Sequence, residues 1–120
     1  MKPTLNGTGF GWIDVDDQRI SYDILIRLDG KVTKRKKSLS KEIYGTSHTI
    51  SLAEAEYIYQ VSAQGLIIGS GHFGRLRLSP EATSFLEEKS CPVTILTTPQ
   101  AVKTWNESKG QIIGLIHVTC

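Results

Sequence analysis

The sequence predicts an α/β domain of three layers: a mixed central sheet, helices on both faces, and an antiparallel β-meander at the N-terminal end. Two observations predict it. From residue 50 onward, capped amphipathic helices alternate with short apolar runs at 66–69, 93–97 and 112–118. Strands that are apolar throughout need cover on both faces, and the intervening helices supply it. Before residue 45, apolar residues recur at every second position between turn residues, which is the pattern of hairpins with one wet face. Residues 1–120 read as one domain. A chain of this length buries roughly 65% of its unfolded surface, enough for one core without disulfide staples.

Taken in order, Phe10, Trp12, Ile13 and Val15 give the first strand, and Asp16-Asp17 a turn. Ile20, Tyr22, Ile24, Ile26 and Leu28 then alternate, predicting a single long strand with one buried face. Asp29-Gly30 is a two-residue hairpin signal, because both positions tolerate positive φ. The return strand runs from Lys31 to about Lys37. Leu39 and Ile43 lead into the polar loop Tyr44-Gly45-Thr46-Ser47-His48.

Three helices follow. Ser51-Leu52-Ala53-Glu54 is a capping box, in which the serine accepts from an orphan N–H and the glutamate reaches back, so residues 52–62 are expected to be helical. Ser79-Pro80 and Thr98-Pro99 each place a cap before a proline that needs no donor, predicting helices over 80–89 and 99–108. Between them, Val93-Thr94-Ile95-Leu96 reads as a short buried strand, and Ile112 to Val118 as the last one.

The stretch Leu66 to Leu78 carries the main functional question. Apolar Leu66-Ile67-Ile68 stops at Gly69-Ser70-Gly71-His72-Phe73-Gly74, a strand ending in a glycine loop. The letters fit G-x-G-x-x-G, but a dinucleotide fold needs its last glycine inside a helix and an acidic residue about 20 residues on. Here the helix cap comes later, and the next strand ends in Leu96-Thr97-Thr98 without a carboxylate. Two readings compete. Glycines suit tight packing where a strand leaves a sheet. Alternatively, Gly69, Ser70 and Gly71 amides with His72 and Arg75 form a pocket for a small anion.

Lys34, Arg35, Lys36 and Lys37, flanked by Lys31 and Lys41, crowd one hairpin arm. They read either as a patch for an acidic partner or as a solvated edge strand blocked by lysines. No aromatic residue interleaves them, and a net charge of +2 is small for a dedicated nucleic-acid protein, so nucleic acid is not the expected partner. His48, His72, His117, Cys91 and Cys120 lack metal-site spacing, so neither metal nor cofactor is expected. Cys91 beside His72 is the one conceivable nucleophile–base pair, though no orienting third group is visible. Asp14, Asp16 and Asp17 read as turn formers. Two cysteines make no disulfide framework, and the start MKPTLNGTGFGW carries no export or transit signal. No apolar run approaches the roughly 20 residues that span a bilayer. A cytoplasmic, membrane-free setting is expected.

Four separated motifs together resemble one family: Tyr44-Gly45-Thr46-Ser47-His48, Ile67-Ile68-Gly69-Ser70-Gly71, Ala101-Val102-Lys103 with Asn106, and His117-Val118-Thr119-Cys120. The chain resembles the small one-domain proteins named after the adipogenesis-associated Mth-domain protein, of which a mitochondrial complex I assembly factor is a distant relative. The resemblance covers nearly the whole chain through the order and spacing of the motifs. It implies a three-layer α/β fold with a mixed sheet and no established activity, since that family has no agreed catalytic residues. Trp105 stands where many members carry tyrosine, so no hydroxyl-based role is carried over to it. The expected function is therefore a non-enzymatic domain acting through a protein partner or a small anionic ligand at the glycine loop. The alternative is a small-molecule binder or enzyme using Ser70, His72 and Arg75.

Overall fold

The computed structural model describes residues 2–120. In chain order the elements are β1 (Leu5–Gly9), β2 (Trp12–Val15), β3 (Gln18–Ile20), β4 (Ile24–Ile26), β5 (Val32–Lys34), α1 (Ser38–Tyr44), β6 (Thr49–Ile50), α2 (Leu52–Ile58), β7 (Gly65–Ser70), β8 (Arg77–Leu78), α3 (Pro80–Glu88), β9 (Val93–Leu96), α4 (Thr98–Glu107) and β10 (Ile112–His117). Strands β1, β2 and β3 form an antiparallel sheet, and a second, mixed sheet runs β5-β4-β10-β7-β9. In it β10, β7 and β9 are parallel, while β4 lies antiparallel to both β10 and β5. The short strands β6 and β8 pair in parallel beside it.

Alternating side chains of the mixed sheet feed two cores. On one face Leu25, Leu66, Ile68, Ile113 and Leu115 pack with Ala55 and Ile58 of α2 and Ala82 and Leu86 of α3. On the other, Ile24, Ile26, Ile67 and Ile116 meet Ala101, Val102 and Trp105 of α4 and Leu5, Ile13 and Val15 of the N-terminal sheet. The layers are thus α2 and α3, the mixed sheet, and α4 with the small sheet. Helix α4 holds the small sheet in place through side chains. Asn106 brackets Leu5, its Nδ2 donating to the carbonyl at 2.7 Å and its Oδ1 accepting from the amide at 3.0 Å. The Trp105 indole donates to the Pro3 carbonyl at 3.0 Å.

The predicted helices and strands from residue 50 onward are present, with α2 ending at Ile58 rather than 62. Tyr59 turns extended there and packs its ring edge-on against Phe85, centroids 5.8 Å apart. Thr98 lies inside α4 rather than capping it: the N-cap is Thr97, which makes no side-chain cap bond, and the Thr98 hydroxyl turns to the His117 carbonyl. The N-terminal half departs further. The single strand expected over 20–28 is two strands in different sheets, broken at Ser21-Tyr22-Asp23. The alternation misled because β4 sits between β10 and β5 with both faces covered, so all three of its residues are buried. The Asp29-Gly30 hairpin forms with a three-residue loop, closed by Arg27 and Lys31, in which only Gly30 takes positive φ. A two-residue turn with both central φ positive occurs instead at Asp16-Asp17 (φ 48° and 66°), the type I′ geometry that suits strand twist.

Two further corrections concern the middle of the chain. Residues 38–44, expected as a connection, form α1, which has no side-chain N-cap and ends on left-handed Gly45. Strand β9, expected to be buried, is the sheet's edge, with Thr94 and Ile95 exposed.

Candidate functional site

The chemistry-bearing residues gather at one end of the mixed sheet. Ser70 lies opposite His117 where parallel β7 and β10 both finish. Because β4 runs the other way, its start puts Asp23 at the same end. Open α/β sheets present ligand crevices there, where connections of neighbouring strands depart to opposite faces. Strands β7 and β9 are such neighbours, since β7 leads to α3 and β9 leads to α4.

That crevice is filled by the protein itself. The Gly71 amide donates to Thr98 Oγ1 at 2.9 Å, and the Thr98 hydroxyl donates to the His117 carbonyl at 2.6 Å. Ser70 Oγ donates to the Leu96 carbonyl at 3.0 Å. The amides of His72, Phe73 and Arg75 donate to the carbonyls of Thr119 and Cys120 at 2.8–3.2 Å. Gly71 has φ +98°, and a Cβ there would lie 2.1 Å from the Cys120 carbonyl carbon. The loop is therefore wrapped against the closing segment of the chain, which demands glycine. Gly69 is less constrained: a Cβ there would stand 3.1 Å from Thr98 Oγ1, which a shift of a few tenths of an ångström relieves. The Gly74 amide makes only a 3.4 Å contact, to the Gly71 carbonyl, and is the weakest-held donor of the loop.

Of the five residues singled out there, Gly69, Ser70 and Gly71 are thus buried in this frame. His72 sits with its ring 6.0 Å from Phe10, and its Nε2 is buried without a partner among the described residues. Arg75 is exposed and lines an open groove of about 450 Å³ with His48, Gly74 and Arg77. The β6–β8 pairing assembles that groove, since the Arg77 amide donates to the His48 carbonyl at 2.9 Å and sets the two side by side. Neither Arg75 nor Arg77 has a carboxylate within 4.0 Å among the described residues. Burial lowers the His48 pKa below its usual 6.5, and the proximity of His117, Arg75 and Arg35 lowers it further, against a smaller opposing pull from Asp23.

Behind the groove lies a closed network. Arg35 is not part of an exposed basic patch: it is buried, with Nε 2.7 Å from Glu54 Oε2, Nη1 3.1 Å from Asp23 Oδ2, and Nη2 donating to Glu54 Oε1 and the Ser47 carbonyl. Only Lys34, Lys36 and Lys37 of that run are exposed. Asp23 also accepts from the Val118 amide at 2.9 Å and meets His117 Nδ1 at 2.7 Å. Burial raises the Asp23 pKa, but the His117 hydrogen bond and charge, the Val118 amide and Arg35 outweigh it and hold the carboxyl at about 2. The His117 ring meets His48 edge-on, centroids 5.5 Å apart. The network thus fixes the 44–48 loop, through Ser47, and supports the His48 ring from beneath.

The capping box is half realised for the same reason. Ser51 Oγ accepts from the Glu54 amide at 3.0 Å, but the Glu54 carboxylate turns inward to Arg35 and the Ser40 hydroxyl. The conceivable Cys91–His72 pair does not form. Cys91 is buried near the start of β9, at the opposite end of the parallel strands from His72, and burial raises its thiol pKa. Sequence reasoning missed Asp23, the inward turn of the Glu54 carboxylate and the burial of Arg35. The available signal was a lone aspartate set directly against the apolar run Ile24-Leu25-Ile26.

Comparison with known proteins shows where such a chain belongs. Residues 5–112 match the family described as "Protein of unknown function (DUF498/DUF598)". The conserved hypothetical protein PH1505 from Pyrococcus horikoshii OT3 is 33% identical, with a TM-score of 0.90 and full coverage of both chains. The protein MT938 is 30% identical with a TM-score of 0.84, over 99% of this chain and 100% of that one. A Mth938-like domain from Bordetella pertussis shares the fold at 18% identity and a TM-score of 0.65, over 97% and 85% of the two chains. The chain belongs to the DUF498/DUF598 family of unknown function, a family of small Mth938-like domains.

Proposed function

We propose that this domain is a non-enzymatic binding module that recognises an anionic group in the groove of His48, Gly74, Arg75 and Arg77. The observation that carries the reading is two guanidinium groups facing one groove without a carboxylate partner among the described residues. Unpaired arginines beside an imidazole and a weakly held amide suit an oxyanion, which guanidinium groups bind with paired hydrogen bonds. This keeps Arg75 from the glycine-loop candidates and adds His48 and Arg77. Gly69, Ser70 and Gly71 then build the frame, and His72 flanks it. The groove-lining residues include no hydroxyl, thiol or carboxylate to act as a nucleophile, which supports binding over catalysis. Free cysteines, Cys91 buried and Cys120 half-buried, support a reducing, cytoplasmic setting.

Sulfate is the probe of choice, because it does not titrate between pH 5 and 8. NMR of the full chain should show sulfate-dependent shifts confined to His48 and residues 74–77. The His48 ring should titrate at higher pH when sulfate is bound, so affinity should rise as pH falls through that range. Arg75→Gln with Arg77→Gln should weaken binding at least about tenfold, the loss of charge-assisted hydrogen bonds. Unchanged sulfate binding in that double variant, or no site-specific shifts at all, would overturn the proposal.

A further inference from the structure

Two exposed phenylalanines, on segments from different sheets, lie together at the loop that leads into the groove. Phe10 forms the tip of the β1–β2 turn, between Gly9 and Gly11, and is 57% exposed. Gly11 has φ +90°, and its amide donates to the Val118 carbonyl at 2.7 Å, which pins the turn against the end of β10. Phe73 projects from the glycine loop and is 69% exposed. The two rings lie 5.9 Å apart, tilted by 48°, and His72 supports Phe10 from behind at 6.0 Å. Large apolar rings exposed side by side mark a contact surface. These rings do not close on each other face to face, so a planar group can stack on either.

Continuity along the chain joins this surface to the anion groove. Phe73 is followed by Gly74 and Arg75, both lining the groove. Phe73 and Arg75 are two residues apart, at most about 7 Å between Cα atoms, so the exposed ring and the exposed guanidinium belong to one short stretch of loop. Phosphate groups fit the cationic side, and a flat ring fits the aromatic side. Resting on the anion-site reading, we infer that the anion is the phosphate of a nucleoside monophosphate, its base stacked on Phe73 and Phe10. The surface is sized for one base: two phenylalanines and two arginines, on a chain whose net charge is only +2. That smallness favours a mononucleotide over a nucleic-acid strand, which needs repeated stacking platforms and a charged track.

The arrangement is tested by calorimetry on the full chain at low ionic strength with inorganic phosphate, ribose 5-phosphate, AMP and UMP. Base stacking on aromatic side chains predicts that AMP binds about tenfold or more tightly than ribose 5-phosphate, with UMP between them. Phe73→Ala should narrow the gap between AMP and ribose 5-phosphate, Phe10→Ala with Phe73→Ala should close it, and Phe73→Trp should keep it. Because Phe73 is exposed, the alanine variant should keep its melting temperature, which is checked alongside. Equal affinities for AMP and ribose 5-phosphate, with phosphate still bound, would overturn the nucleotide assignment and leave the anion groove standing. Failure of phosphate, ribose 5-phosphate and AMP alike would remove both. Affinity that climbs with the length of an oligonucleotide would overturn the single-nucleotide site in favour of a strand-binding surface.

Discussion

Arg35 and Arg75 lie at the same end of one sheet and have opposite fates. The Arg35 side chain is 1% exposed, and its nitrogens meet Glu54, Asp23 and the Ser47 carbonyl. Arg75 is exposed, shares its groove with Arg77 and His48, and has no carboxylate partner among the described residues. The residue type does not decide the role here; the supply of carboxylates does. Where two carboxylates converge inside the fold, a guanidinium closes into structure. Where none does, the charge is left for something else to satisfy. A buried pair is weak evidence of net stabilisation, because desolvation offsets most of its attraction. Leaving one partner buried alone is a different matter.

Removing Arg35 should have the largest effect. Arg35→Met leaves Asp23 and Glu54 buried without their cation, and the expected loss is about 3–5 kcal/mol in urea unfolding. The same change at Arg75 should fall within about 0.5 kcal/mol, as expected for an exposed charge. Comparable losses at the two positions would erase the distinction between closed and open clusters.

Acid should open the closed cluster selectively. The Asp23 carboxyl sits at about 2 in the fold, against an ordinary value of 3.8. Its folded value is depressed, so its contribution is fully present above pH 4 and is lost as pH falls through 2. The gap corresponds to about 2 kcal/mol. Asp23→Asn should flatten the stability profile between pH 4 and 2, read from urea midpoints at each pH. An unchanged slope in that variant would mean that the acid sensitivity does not come from Asp23.

How much of this was legible follows the same division. Caps at Ser51 and Ser79, the Thr98-Pro99 start and the apolar runs report local structure, and from them the three helices after residue 50 and the parallel strands were read correctly. Positive φ at Gly71 was also foreseeable, because a glycine directly after a strand suggests close approach. Other features depended on partners distant in sequence. Asp23 and His117 are 94 residues apart, and Arg35 and Glu54 are 19 apart. No spacing rule joins them, so Arg35 was read with its lysine neighbours as surface. Helix α1 lacked both a cap bond and an apolar stripe: Ile43 is 60% exposed, and the buried residue is Ser40, held by the Glu54 network. The groove was half legible, since Arg75 follows the glycine loop directly. His48 and Arg77 join it only through the β6–β8 pairing.

The smallest expected effect separates Arg35 from the lysines around it. Lys34, Lys36 and Lys37 are exposed, and the favourable contacts of the first two are with tyrosine rings. Lys34 Nζ lies 5.3 Å from the Tyr22 ring centre, and Lys36 Nζ lies 5.3 Å from that of Tyr57. Both rings are themselves about 40% exposed, so water screens those contacts. Exposed cation–π pairs contribute about 0.5–1 kcal/mol at best, and crowding of like charges works against them. Replacing the three lysines together by glutamine should therefore shift stability by no more than about 0.5 kcal/mol in either direction. Adding Arg35→Gln to the triple variant should then produce nearly the whole loss seen for Arg35 alone, because the exposed sites share no partner with it. Urea titration of the triple and quadruple variants measures both quantities. If the triple variant alone lost more than about 1 kcal/mol, the basic arm would be holding the fold from the surface, and the contrast would no longer be one of burial.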